Sequence, residues 1–176
     1  MNFPAQQIRA GLRLLVLTVP AFAFSLVSVM PDAFAQENKA TPMTHHASGT
    51  FEVKTSPLPP DDATGGSAVG RFALDKHFHG DLEAASKGEM LGGGDPKSGT
   101  AGYVAIEFVT GTLQGRSGSF ALQHFGTMGG GKFDLKVIVV PGSGTGDFTG
   151  MEGTMTIIIA GGKHSYEFDY TLPEPR

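Results

Sequence analysis

Glu107 and His124 are the residues of this 176-residue chain whose types and surroundings most invite proton chemistry. Glu107 interrupts an apolar run, Tyr103-Val104-Ala105-Ile106-Glu107-Phe108-Val109, and His124 shares a two-residue phase with Phe120 and Leu122. A strand sends successive side chains to opposite faces, so His124 is expected to point inward. A buried carboxylate beside an imidazole can serve as acid and base, each shifting the other's protonation. The competing reading is a structural hydrogen bond that ties adjacent strands, because buried polar groups are paired whatever their role. Lys76 is the next candidate. It falls in the apolar phase of Phe72, Leu74 and Phe78, so it must reach the rim or meet a carboxylate, with Glu89 or Glu107 as the partner.

Other reactive types carry less. His77 and His79 share one face of a strand at a spacing some zinc sites use, but Arg71 and Asp75 mark that face as the solvated one and no third ligand is evident. His45-His46 lies in an N-terminal stretch expected to be mobile. Gly118-Ser119-Phe120 lacks the second glycine of a nucleophile elbow and no helix follows it. No metal and no cofactor are therefore expected. Tyr103, Tyr166 and Phe120 belong with the aromatic core, and join Lys76, Glu89, Glu107 and His124 as candidate lining of a ligand site.

The elements that must position these residues are strands. Two-residue alternation runs through Phe51-Val53, Phe72-Phe78, Leu82-Met90, Tyr103-Val109, Ser119-Phe125, Phe133-Val140, Met155-Ile159 and Tyr166-Leu172, with no helical period longer than a turn. Glycine supplies the corners. The 141 residues after position 35 hold 25 of the 26 glycines, about 18 per cent against a usual ~7 per cent, without the three-residue period of collagen. Gly92-Gly94 and Gly129-Gly131 are expected to be flexible connections. An internal repeat, G-x-Φ-x-G-x-x-G-[ST]-Φ-x-Φ, matches residues 111–122 to residues 146–157 without gaps. It predicts two equivalent corners at which Leu113 and Phe148 plug the core. Such a pattern suits an all-β single antiparallel barrel of about eight strands.

The segments Phe78-His79-Gly80-Asp81-Leu82-Glu83-Ala84, Ser86-Lys87-Gly88-Glu89-Met90-Leu91, Gly102-Tyr103-Val104-Ala105-Ile106-Glu107 and Gly111 to Phe120 with Leu122-Gln123-His124 resemble the bacterial family called domain of unknown function 3224. The resemblance spans roughly Thr44 to Leu172. It implies an eight-stranded antiparallel barrel similar to allene oxide cyclase, of calycin-like shape, and implies no established reaction, since a fold hosts many functions.

Residues 1–35 have the pattern of a secretory signal. Arg9 and Arg13 precede the apolar stretch Leu14 to Met30, and Ala33-Phe34-Ala35 offers small residues for cleavage after Ala35. The expected organisation is a signal peptide over 1–35, a flexible linker over 36–48 and a barrel domain over 49–173. The protein is then periplasmic or secreted, with no stable membrane anchor after cleavage. Translation from Met43 would instead leave it cytoplasmic. After cleavage 11 basic residues face 16 acidic ones, which offers no basic surface for nucleic acid. Cysteine is absent, so disulfides and thiolate chemistry are excluded. Three functions fit. One is binding of a small apolar molecule in the barrel; another is a cofactor-independent isomerase or cyclase using Glu107 and His124. The third is a structural barrel filled by its own side chains. Outward apolar positions such as Val140 permit a homo-oligomer.

Overall fold

The computed structural model describes residues 43–64, 66 and 68–173. The chain divides into Met1–Asn38 and Lys39–Arg176, and the fold described here belongs to the second unit. The export segment and its cleavage site lie outside the described residues.

Nine strands follow in order: β1 Thr44–Pro57, β2 Gly70–Gly80, β3 Leu82–Asp95, β4 Thr100–Leu113, β5 Arg116–Gly129, β6 Lys132–Val139, β7 Thr145–Gly146, β8 Glu152–Ala160 and β9 Lys163–Thr171. Single 3-10 turns at Asp62–Thr64 and Pro96–Ser98 interrupt them. Eight strands pair antiparallel in the cyclic order β4-β3-β2-β1-β9-β8-β6-β5, and β4 closes onto β5. The two-residue β7 adds only to the start of β5, through Gly118↔Gly146 and Ser119↔Thr145. Closure leaves the long strands without free edges, the usual solution to unpaired backbone in an antiparallel sheet. This is the barrel expected from the alternation.

Three boundaries differ from expectation. β1 starts at Thr44, so the last residues of the supposed linker, His45 and His46 included, are strand paired to β9. β3 runs to Asp95, so Gly92, Gly93 and Gly94 are not a loop but pair with Tyr103, Gly102 and Ala101 of β4. The third concerns Gly130 and Gly131, which have φ of 57° and 74° and join β5 to β6 across the Gly129↔Lys132 pair. Positive φ at both central residues makes this a type I′ hairpin, whose twist matches its strands. These glycines fix a turn instead of loosening one.

The repeat holds at the level of packing and differs at the turns. Leu113 and Phe148 are both fully buried. After Leu113 comes a type I′ hairpin in which Gln114 itself has φ 48°, an unusual conformation for a side-chain-bearing residue. Its side-chain nitrogen donates to the His46 carbonyl and its side-chain oxygen accepts from the Tyr170 hydroxyl, each at 2.8 Å. In the turn from Phe148 to Met151 only Gly150 has positive φ, at 77°, as a type II turn requires. The difference follows from pairing: β4 turns straight onto β5, whereas the second copy leads into β8, which lies between β6 and β9.

One end of the barrel is filled by its own side chains. Phe120 meets Phe148 edge-on with centroids 5.5 Å apart and stacks on Phe168 at 5.8 Å, with Leu82, Met151, Met155, Tyr166 and Tyr170 completing the cluster.

Candidate functional site

Four neighbouring strands each send one polar side chain inward at mid-barrel: Lys76 from β2, Ser86 from β3, Glu107 from β4 and His124 from β5. All four are buried, and Glu107 is fully so. Register explains the meeting. Lys76 pairs directly with Ser86, while Gly88 opposes Glu107 and Ala105 opposes His124, which leaves Ser86 and His124 diagonal to Glu107, within reach of its carboxylate. Gly88 is required there, because a Cβ would collide with the Ile106 carbonyl and crowd Glu107.

Glu107 collects three donors. Lys76 Nζ lies 2.7 Å and His124 Nε2 2.8 Å from Oε1, and Ser86 Oγ lies 2.6 Å from Oε2. Burial alone would push this carboxyl up; the hydrogen bond to His124 and the charge of Lys76 outweigh it and hold the group at about 2. The Lys76 ammonium also lies 5.2 Å from the Phe51 ring centroid and 5.8 Å from that of Phe78, so its remaining surroundings are aromatic faces. Among the described residues no buried side-chain nitrogen or oxygen lacks a hydrogen-bond partner. The network is closed.

On the other side of the network from the filled core, the barrel is open. A cavity of about 470 Å³ lies among Gly70, Phe72, Met90, Gly92, Tyr103, Gly126, Met128 and Phe133. These residues come from the matching ends of β2 to β6. Glycine makes the space: a Cβ on Gly126 would run into the Tyr103 ring, so the absent side chain is where Tyr103 lies. Tyr103 is in phase with Ala105 and Glu107 and joins the cavity to the network. Burial pushes its hydroxyl pKa up, and the Glu107 charge adds to the effect; the group is a neutral O–H donor at physiological pH.

The remaining expected site residues have other roles. Glu89 does not meet Lys76: it is on the outward face of β3, where its carboxylate takes Arg71 Nε at 2.7 Å. Phe120 is core, packed between Phe148 and Phe168. Tyr166 is structural, its hydroxyl accepting from the Leu82 amide at 2.9 Å and donating to the His79 carbonyl at 3.4 Å. His77 and His79 are exposed and sit near Asp75, and near Glu52 and Glu83, respectively. Among the described residues no group of three or more His, Cys, Asp or Glu is arranged to hold a metal. One cluster was not assembled from the sequence. His46 on β1 lies between two β9 carboxylates, Nδ1 2.7 Å from Asp169 and Nε2 2.8 Å from Glu167, and the Asp169 hydrogen bond, then that of Glu167, raises its pKa. Its signal was partial: Glu167 and Asp169 share the outward phase of their strand, but pairing with His46 depends on closure between β1 and β9.

The model of the family described as Protein of unknown function (DUF3224) matches residues 47–170. The chain belongs to the DUF3224 family. A crystal structure of a DUF3224 protein of unknown function from Shewanella oneidensis MR-1 is similar to it, with 51% identity and a TM-score of 0.68, covering 76% of this chain and 100% of that one. No curated protein matches the chain. DUF3224 membership covers the strands that carry Lys76, Ser86, Glu107 and His124, as well as every strand around the cavity.

Proposed function

We propose that this DUF3224 protein is exported and binds a small apolar molecule in the open end of its barrel. The observation that carries the reading is the cavity of about 470 Å³ lined by Phe72, Met90, Met128, Phe133 and the Tyr103 ring. Its volume falls within the ~300–1,000 Å³ of small-molecule sites, which are predominantly apolar with a few fixed polar groups. The buried network then serves as the floor. It ties four strands together beneath the cavity and keeps their inward faces at a set spacing.

The enzyme reading has less support. A carboxylate held at about 2 with three donors on it is a poor proton acceptor near neutral pH, so Glu107 acts as a brace. The filled-core reading describes only the opposite half of the barrel. Native mass spectrometry of the purified protein, together with titration of the fluorophore N-phenyl-1-naphthylamine, tests the proposal. Micromolar binding with a fluorescence gain, abolished by Met90→Trp, is expected; no carried ligand and no fluorescence gain would contradict it. Export is tested separately by fractionation and N-terminal sequencing, with Gln36 expected as the first residue.

A further inference from the structure

We infer that the cavity selects a neutral apolar molecule bearing a carbonyl oxygen, seated with that oxygen against the Tyr103 hydroxyl. This rests on the binding reading above and names the class of ligand. None of the residues that line the cavity is charged, so a carboxylate, phosphate or ammonium head placed inside would be desolvated without a counter-charge. The nearest cation does not relieve this. Lys76 Nζ is bonded to Glu107 at 2.7 Å and flanked by the rings of Phe51 and Phe78, so its charge is already taken up by the Glu107 carboxylate.

The lining has little polarity to offer a ligand. Thr127 belongs to the outward, exposed phase of β5, whereas Tyr103 is inward and only partly buried. No side chain among the described residues hydrogen-bonds its hydroxyl, and no fully buried side-chain oxygen is left without a partner, so the Tyr103 oxygen is not fully buried, and Tyr103 is one of the residues that line the cavity. The ring is seated over Gly126, which sets where the phenol oxygen lies. A phenol held neutral next to a carboxylate donates and cannot balance a charge, and the group that complements one fixed neutral donor in an apolar wall is a neutral acceptor. A ketone, aldehyde or ester oxygen meets that requirement, and a hydrocarbon leaves the donor unsatisfied.

The experiment displaces N-phenyl-1-naphthylamine from the wild type and from Tyr103→Phe with two rigid compounds of matched size, 2-acetylnaphthalene and 2-naphthoate, at pH 7.5. The wild type is expected to prefer the ketone to the carboxylate by roughly tenfold or more. Read relative to each protein's own affinity for N-phenyl-1-naphthylamine, Tyr103→Phe is expected to weaken the ketone by roughly threefold to tenfold. The infrared carbonyl stretch of bound 2-acetylnaphthalene should lie lower in the wild type than in Tyr103→Phe. Equal displacement by 2-naphthoate, an unchanged ketone affinity in Tyr103→Phe, or loss of the reporter along with the ketone would each overturn the inference while leaving apolar binding standing. A wild type that binds neither the reporter nor the ketone would overturn the binding reading and the inference together.

Discussion

Replacing Glu107 by Gln tests the network through its dependence on pH. The change keeps the shape of the side chain and removes the charge that Lys76 faces at 2.7 Å. Lowering the carboxyl from its ordinary 4.5 to about 2 corresponds to roughly 3 kcal/mol of folding stability at neutral pH. Removing one partner of a buried ion pair costs a similar ~3–5 kcal/mol, because the other charge stays buried and uncompensated. The sign follows from the direction of the shift. A carboxyl whose folded pKa is depressed contributes stability that is fully present above the unfolded value of about 4.5 and is lost as pH falls toward about 2. Urea unfolding of the wild type and Glu107→Gln should therefore differ by roughly 3 kcal/mol at pH 7, about 10 °C in Tm for a domain of this size. The gap should narrow steadily between pH 5 and pH 2, within the range ~1–5 where a carboxylate of this kind titrates. A gap that is absent at pH 7, or that stays constant down to pH 2, would refute the claim that an ionised Glu107 holds the strands together.

Phe148→Ala empties the plug of the filled end, where Phe148 is fully buried, and should cost roughly 3–5 kcal/mol by chemical unfolding. Gly126→Ala places a methyl group against the Tyr103 ring; a loss of roughly 1–3 kcal/mol and weaker binding of N-phenyl-1-naphthylamine are expected, and an unchanged affinity would show that Tyr103 does not border the ligand. His46 should titrate above its ordinary 6.5 by NMR, since Asp169 and Glu167 hold its protonated form. Its contribution to stability is present below about 6.5 and fades as pH rises through the raised value, so His46→Gln should flatten that part of the wild-type pH profile.

The inward positions of Glu107, His124 and Lys76 were legible because a period of two survives any choice of partner strand: each is the polar exception in an apolar phase. The same phase argument, applied to Leu82, Ser86, Gly88 and Met90, puts Ser86 inside and Glu89 outside, so the Glu89 pairing with Lys76 was excluded by evidence already in the chain. Contacts that depend on long-range closure were not legible. His46 meets Glu167 and Asp169 only because β1 pairs with β9, residues more than a hundred positions apart, and no local pattern encodes that register. The Gly130-Gly131 pair was a turn signal of known type, hidden within a longer glycine tract that suggested mobility. The cavity was least visible of all, since Gly70 and Gly92 line it by the side chains they lack and Gly126 leaves room for the Tyr103 ring.

The central claim, that a ligand enters the open end and no other part of the barrel, is tested most directly by NMR of protein labelled with carbon-13 at the methionine methyl groups. Met90 and Met128 line the cavity, whereas Met151 and Met155 lie in the filled core, 1% and 2% exposed. Titration with N-phenyl-1-naphthylamine is predicted to shift the Met90 and Met128 methyl signals saturably and leave those of Met151 and Met155 in place. Shifts confined to Met151 and Met155, or no shift at any of the four, would contradict it.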